Sequence, residues 1–229
     1  MPDKSPKTTI DSHANAWKTG IFSNLSAEQL QELEQRNSSV DYAKNSTVFT
    51  EGSYPKGVFY ISSGKVKIYA IGNEGKAQII HIAKAGEVIG FRAMFSEESY
   101  KVSASTLEEA KIDFIDRAEF MKMMDDNTAL RNSVIRELAK ELGDKALFIT
   151  NLAQKSVRER LAYSLLMLEE VYLNEPINLS REDLANFVGT ATETLIRLLK
   201  EFREEGLIHI QTRKLTILDR AKLNKLAGK

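Results

Sequence analysis

SREDLANFVGTATETLIRLLKEFREEG, residues 180–206, has the pattern of two short helices joined at Gly189. Ser180 is suited to cap the first helix, with Asp183 three residues on able to reach back to it, and Thr190 with Glu193 repeats the arrangement ten residues later. Only a tight turn fits between two such starts. Leu184, Ala185, Val188, Leu195 and Leu198 then fall where a helix-turn-helix needs apolar residues. Ala185 is small enough for close helix approach, and Gly189 is free to take a left-handed turn conformation. The other face carries Thr192, Glu193, Ile196, Arg197 and Lys200. Near the N-terminus of a helix laid in the major groove, such side chains reach base edges, Arg typically to guanine and Glu to a cytosine amine. The same spacing also fits an antiparallel helix pair in which Glu193 only caps and Arg197 is only solvated.

Composition bounds the rest. A chain of 229 residues with 42% hydrophobic content suggests one large or two small globular domains. No run of about 18 apolar residues is present, and the N-terminal MPDKSPKTTIDSHANAW has no apolar centre like that of a signal peptide, so a cytoplasmic protein with no membrane partner is expected. The absence of cysteine excludes disulfides, thiolate zinc sites and cysteine-ligated iron–sulfur clusters. Lys+Arg and Asp+Glu balance at 32 each, and from Gln154 onward 13 basic residues face 11 acidic ones. A nucleic-acid surface on this chain must therefore be local, made of placed contacts.

Residues 1–18 are polar, contain Pro2 and Pro6, show no period and are expected to form a flexible tail. Leu25, Leu30 and Leu33 form a helical stripe behind a Ser26 cap. Between Thr47 and Ile115 the texture changes to short runs rich in Val, Ile, Tyr and Phe, punctuated by glycines, which predicts a jelly-roll β-barrel. Beyond Arg117 the period becomes helical, with a short piece from Ala118 to Met124 and a long helix from about Asp126 to Asn151. In the long helix Ile135, Leu138, Leu142, Lys145, Ile149 and Leu152 follow steps of three and four, close to a heptad seam with one Lys interrupting it. Such a seam either pairs with a second copy of the helix or packs against the barrel of its own chain. Residues 156–172 are helical again, and the alternating stretches around Gln211-Thr212-Arg213 predict a hairpin, or wing, beside the helix-turn-helix. The expected fold is therefore α+β: an effector-sensing barrel over 19–125, a dimerisation helix over 126–153 and a winged helix-turn-helix over 154–229.

In that order, the segments TVFTEGSYPKGVFYISSGKVKIY, AKAGEVIGF and SREDLANFVGTATETLIRLLKEF resemble the CRP/FNR family of bacterial transcription regulators over nearly the whole chain. The resemblance implies a homodimer joined through Ile135, Leu138, Leu142, Ile149 and Leu152, with a small molecule sensed in the barrel. It implies double-stranded DNA as partner, and RNA polymerase as well if the protein activates. Its DNA contacts fall on Ser180, Thr190, Thr192, Glu193, Ile196, Arg197 and Lys200, with Arg213 and Lys214 in the wing. In the family, the residues matching Glu193 and Arg197 read a G·C pair and a neighbouring guanine. Thr192 stands where the cyclic-AMP branch has an Arg, and a Thr can touch a thymine methyl, so palindromic TTGA-like half-sites are expected.

The resemblance fails at the effector site of the cyclic-AMP branch. Gly90 is kept, but Phe91 replaces the ribose-binding Glu, Tyr100-Lys101-Val102-Ser103 lacks the phosphate-binding Arg, and Lys145-Ala146 stands where the adenine contacts would be. Phe cannot accept a hydrogen bond from a ribose hydroxyl, and losing such a buried partner costs about 1–3 kcal/mol. Cyclic AMP held in the usual manner is not expected. The absence of cysteine weakens the comparison with the oxygen-sensing branch, which uses a four-cysteine cluster, and with the halide-phenol branch, which includes redox-sensitive cysteines. A haem held by Pro2 and His81 is disfavoured because His81 lies in the strand preceding Gly90 and not after it. Two readings of the pocket remain: Gly90, Phe91, Arg92, Tyr100, Lys101 and Lys145 bind a planar or anionic effector of unknown identity, or Phe91 simply fills the cavity. No Ser/His/Asp order, HExxH or phosphate-binding glycine loop appears, so no catalytic residue, metal site or cofactor is assigned. A ligand-sensing adaptor that regulates a protein partner without DNA is the alternative.

Overall fold

The computed structural model describes residues 20–228, so the expected tail over 1–18, with Pro2, lies outside the described residues. The chain forms two compact units. One reaches to Val66 and takes in Ala83–Lys101 and Ser105–Lys140; the other takes in Lys67–Ile82, Val102–Ala104 and the chain from Glu141 on.

The first unit begins with a 3₁₀ turn, Gly20–Phe22, and the helix Ala27–Arg36, which Ser26 and Gln29 start with a reciprocal capping box. Ten strands follow among the described residues, of which the first eight are β1 (Ser38–Tyr42), β2 (Thr47–Phe49), β3 (Gly57–Ser63), β4 (Lys65–Ile71), β5 (Ala77–Lys84), β6 (Val88–Ile89), β7 (Ser103–Thr106) and β8 (Ala110–Asp116). They make two four-stranded sheets, ordered β1-β8-β3-β6 and β2-β7-β4-β5. Among the described residues no ladder joins one sheet to the other, which corrects the expected closed barrel. Alternation and glycine turns specify strands but not closure, and closure needs long edges in matching stagger. Here β6 has two residues and β2 has three. The sequence pattern predicts neither β1 nor the helix Phe91–Ser96; β1 reads SSVDY, with a single aliphatic residue to mark it.

Phe22, Leu30, Leu33, Val58, Tyr60, Phe91, Met94, Ile115, Phe120, Leu130 and Val134 belong to one buried cluster of the first unit. Each such side chain contributes roughly 1.5–3 kcal/mol on leaving water. Phe22 meets Tyr60 and Phe120 edge-on, at centroid distances of 5.7 and 6.4 Å. The helix Arg117–Asp126, capped by Asp116, supplies Phe120. The long helix Thr128–Gln154 supplies Leu130 and Val134 from its first turns.

The second unit contains the helix Val157–Val171, started by a Ser156–Glu159 capping box, and the helix pair Arg181–Val188 and Thr192–Glu204. Leu184, Ala185, Val188, Leu195, Leu198, Leu199 and Phe202 are buried, as the apolar spacing requires. Gly189 has φ +75° and closes the first helix of the pair. Thr190 is not the cap of the second: its N–H also bonds back to Ala185 O, at 3.1 Å, so the turn consumes one more residue. The second helix starts behind Ala191, which offers no side-chain cap. Strands β9 (Ile208–Gln211) and β10 (Lys214–Ile217) form the antiparallel hairpin, with Gln211 opposite Lys214 and only Thr212-Arg213 between them. Ile177 adds a bridge to Leu215, and a final helix, Arg220–Leu226, follows an Asp219 cap.

Candidate DNA-binding surface and sensor site

On the helix Thr192–Glu204 burial and exposure fall on opposite sides. Leu195, Leu198, Leu199 and Phe202 turn inward, while Glu193, Ile196, Arg197 and Lys200 are exposed and Thr192 is half-buried. Glu193 and Arg197 are one turn apart, so both project from one face. The guanidinium of Arg197 meets Glu201 at 3.0 Å and Lys200 lies 3.8 Å from Glu204, so neither cation is held by more than an exposed i,i+4 pair. Ser180 is exposed at the start of the first helix, its hydroxyl accepting from the Asp183 N–H at 2.9 Å and donating to the Asp183 carboxylate at 2.6 Å. Thr190 is half-buried in the turn; Arg213 and Lys214 are exposed at the tip of the hairpin.

Three side chains that local sequence patterns did not single out hold this pair of helices in place. Arg160 donates to Val188 O at 3.0 Å and Gly189 O at 2.9 Å, satisfying carbonyls at the end of the first helix, and to Lys155 O at 2.9 Å, just past the long helix. Gln78 of β5 donates to Asn186 O at 2.7 Å, and Lys67 of β4 meets Asp183 at 2.6 Å. Arg160 sits in VRERLA, an amphipathic stretch whose periodicity gives no sign of a bonded guanidinium. The partners of Lys67 and Gln78 lie 116 and 108 positions away.

At the expected effector site, Gly90 takes φ +91° and precedes the helix Phe91–Ser96. A Cβ at Gly90 would stand 3.2 Å from the hydroxyl of Tyr100, so the glycine permits a close approach there. Tyr100 is 4% exposed, and its ring stacks on Phe49 at 4.1 Å. Its hydroxyl has no hydrogen-bond partner among the described residues, and burial pushes its pKa up to about 12. Phe91 belongs to the buried cluster of the first unit, whereas Arg92 is exposed. Lys101 is exposed, 3.7 Å from Glu98. Lys145 belongs to the second unit and lies 3.4 Å from Glu141 on its own helix. Gly90 and Tyr100 thus come together, and the structure does not bring Arg92 or Lys101 to the Tyr100 hydroxyl. His81 is exposed on β5, and among the described residues no group of three or more metal-ligating side chains occurs.

Along the long helix, Ile135, Leu142 and Ile149 recur every seven residues and are 55%, 72% and 66% exposed. Leu138 is partly buried against the cluster of the first unit, and Leu152 is half-buried near Gly189.

Comparison with known proteins places these features. Residues 39–127 match the cyclic nucleotide-binding domain family and residues 159–226 the Crp-like helix-turn-helix domain family. Electron transport regulator A of Shewanella oneidensis is 29% identical over 208 residues, covering 88% of this chain and 82% of that protein. The CRP-like cAMP-activated global transcriptional regulator of Mycobacterium tuberculosis is 26% identical over 217 residues, covering 92% and 97%. The structure of FixK2 from Bradyrhizobium japonicum superposes with a TM-score of 0.75 at 20% identity, covering 83% of this chain and 96% of that one, a likeness of fold. No helix among the described residues is long and apolar enough to cross a membrane. With a cyclic nucleotide-binding-like domain ahead of a Crp-type helix-turn-helix, the chain belongs to the CRP/FNR family of cytoplasmic, dimeric, sequence-specific transcription regulators, which are not enzymes.

Proposed function

We propose that the protein binds palindromic DNA with TTGA-like half-sites as a homodimer, under the control of a small effector other than cyclic AMP. Sensing falls to 19–125, dimerisation to 126–153 and DNA binding to 154–229. The observation that carries the DNA reading is the exposed row of Glu193, Ile196, Arg197 and Lys200, with the half-buried Thr192 at its start, on a helix whose other side is buried. Glu193 and Arg197 read the G·C pair and its neighbouring guanine, and Thr192 leans the outer position toward thymine. Ser180 and Thr190 face the backbone of the duplex, and the wing residues Arg213 and Lys214 meet phosphates. The seam of Ile135, Leu142 and Ile149, with Leu138 and Leu152 beside it, pairs the two copies. Two-fold related helices then require half-sites centred about one helical turn apart. If the protein activates, RNA polymerase is a further partner.

The effector reading rests on two side chains. Phe91 buries its ring where an acidic partner for ribose would be needed, which argues against cyclic AMP. The Tyr100 hydroxyl beside Gly90 is a buried donor able to meet an acceptor on a planar or anionic ligand, and the exposed cations Arg92 and Lys101 of the same unit would have to turn toward that ligand to reach it. Selection from randomised duplexes tests the DNA reading: a palindrome of TTGA-like half-sites is expected, and recovery of no palindrome overturns it. Calorimetry with cyclic AMP and cyclic GMP tests the effector reading, which a micromolar dissociation constant for either nucleotide would overturn.

A further inference from the structure

Among the exposed side chains of the helix Thr192–Glu204, Ile196 alone is a large hydrophobe. It is 52% exposed in mid-helix, and a β-branched residue there loses rotamer freedom and is a poorer helix former than Leu, Lys or Glu. Neither helix stability nor core packing accounts for it. Ile196 follows Thr192 by four residues, precedes Lys200 by four and adjoins Arg197. It therefore lies inside the row of polar side chains and not at its margin. A duplex seated on Glu193 and Arg197 meets Ile196 as well. The edges of base pairs in the major groove carry donors, acceptors and one apolar group, the C5 methyl of thymine.

We propose that Ile196 is a specificity-determining residue that selects thymine at one position of each half-site through contact with its C5 methyl. This rests on the reading that the helix enters the major groove. It adds an apolar determinant to the polar readers Glu193 and Arg197, distinct from the half-buried Thr192 one turn earlier. Because the side chain has no polar atom, the selection contains no hydrogen bond and depends on the methyl alone.

Deoxyuridine differs from thymidine only by that methyl, so replacing each thymine of the selected half-site in turn tests the contact directly in the full-length protein. At one position besides the outer thymine assigned to Thr192, the affinity of the unmutated protein is expected to fall about fourfold, the loss of one buried apolar carbon. Ile196→Ala should bind the thymine and uracil duplexes equally at that position. Ile196→Val, which keeps a branched apolar side chain, and Thr192→Ser should both retain the penalty. Indifference of the unmutated protein to uracil at every position overturns the inference, as does retention by Ile196→Ala of every penalty that the unmutated protein shows. Either result leaves the palindromic binding itself standing, whereas failure to select a palindrome removes the reading beneath it.

Discussion

Lys67 on β4 meets the carboxylate of Asp183, in the first helix of the helix-turn-helix, at 2.6 Å. Both side chains are largely shielded from water, so the pair is a charge-assisted bond that salt screens only weakly. Gln78, on the neighbouring strand β5, holds the other end of the same helix through Asn186 O. One helix is thus fastened at its first turn and at its last by two strands that precede it by more than a hundred residues. Removing Lys67 as Lys67→Ala should destabilise the second compact unit by about 1–3 kcal/mol in urea unfolding. Asp183→Asn also disturbs the bond from Ser180, so a double-mutant cycle is needed to isolate the pair. Single variants that unfold at the midpoint of the unmutated protein would show that the pair adds nothing.

Tyr100 yields a prediction about alkaline pH. Its hydroxyl is buried without a partner among the described residues, and burial raises its pKa from 10.0 to about 12. In the unfolded chain the phenol ionises near 10, while the folded chain still holds the proton, so the folded state binds more protons between these values. Stability contributed by the neutral phenol is therefore complete below pH 10 and falls as pH rises from 10 toward 12. Tyr100→Phe should abolish this part of the alkaline loss. At neutral pH it should leave stability unchanged or slightly raised, because it deletes an unsatisfied polar atom and keeps the ring on Phe49. Thermal melts of both proteins at pH 7, 10 and 11 check it, and a variant markedly less stable at pH 7 would contradict the account.

The seven-residue spacing of Ile135, Leu142 and Ile149 leads to a prediction about assembly. Leu142 is the most exposed of the three, so its substitution barely touches the core of one chain. In a paired helix, Leu142→Asp buries a carboxylate against its own copy. Sedimentation should find the unmutated protein dimeric at micromolar concentration and the variant shifted to monomer, with the unfolding midpoint of the variant following protein concentration. A monomeric unmutated protein would remove the seam.

What the sequence made legible follows the range over which each signal acts. The helix pair was readable because its apolar spacing, the Ser180 cap and Gly189 all lie within 27 residues and agree. Closure of the sheets was not, since it depends on edges distant in sequence, and β6 and β2 turn out too short to supply them. Thr190 looked like a cap because threonine commonly caps; the left-handed turn at Gly189 needed its N–H for the helix behind it, and the start moved on to Ala191. At the sensor site, the substitution of Phe91 was visible in the sequence, but its burial in the core and the unpaired Tyr100 hydroxyl depend on packing. Lys67, Gln78 and Arg160 escaped because nothing near them in sequence marks their partners.

The last prediction separates reading from holding on the DNA surface. Arg197 and the wing pair Arg213-Lys214 are all exposed cations, and by charge alone they should contribute alike. Their placement differs: Arg197 stands one turn beyond Glu193 on the helix, with only Glu201 to release before it can turn to a base, whereas Arg213 lies in the two-residue turn of the hairpin and Lys214 begins the strand after it. An exposed i,i+4 pair is worth about 0.3–0.5 kcal/mol, so the Glu201 contact is given up at little cost. A bidentate Arg–guanine contact contributes about 1–3 kcal/mol of discrimination. Arg197→Ala should therefore weaken the preferred site by that amount and flatten preference at one base position, while the dependence on salt changes by no more than one phosphate contact. Arg213→Ala or Lys214→Ala should weaken all sequences alike and lower the slope of log K against log salt by about one unit each. Titrations of specific and scrambled duplexes at several salt concentrations, with base selection repeated on Arg197→Ala, distinguish the two behaviours. If Arg197→Ala selects the same motif as the unmutated protein, the arginine only steadies the backbone, and base reading passes to Glu193, Thr192 and Ile196.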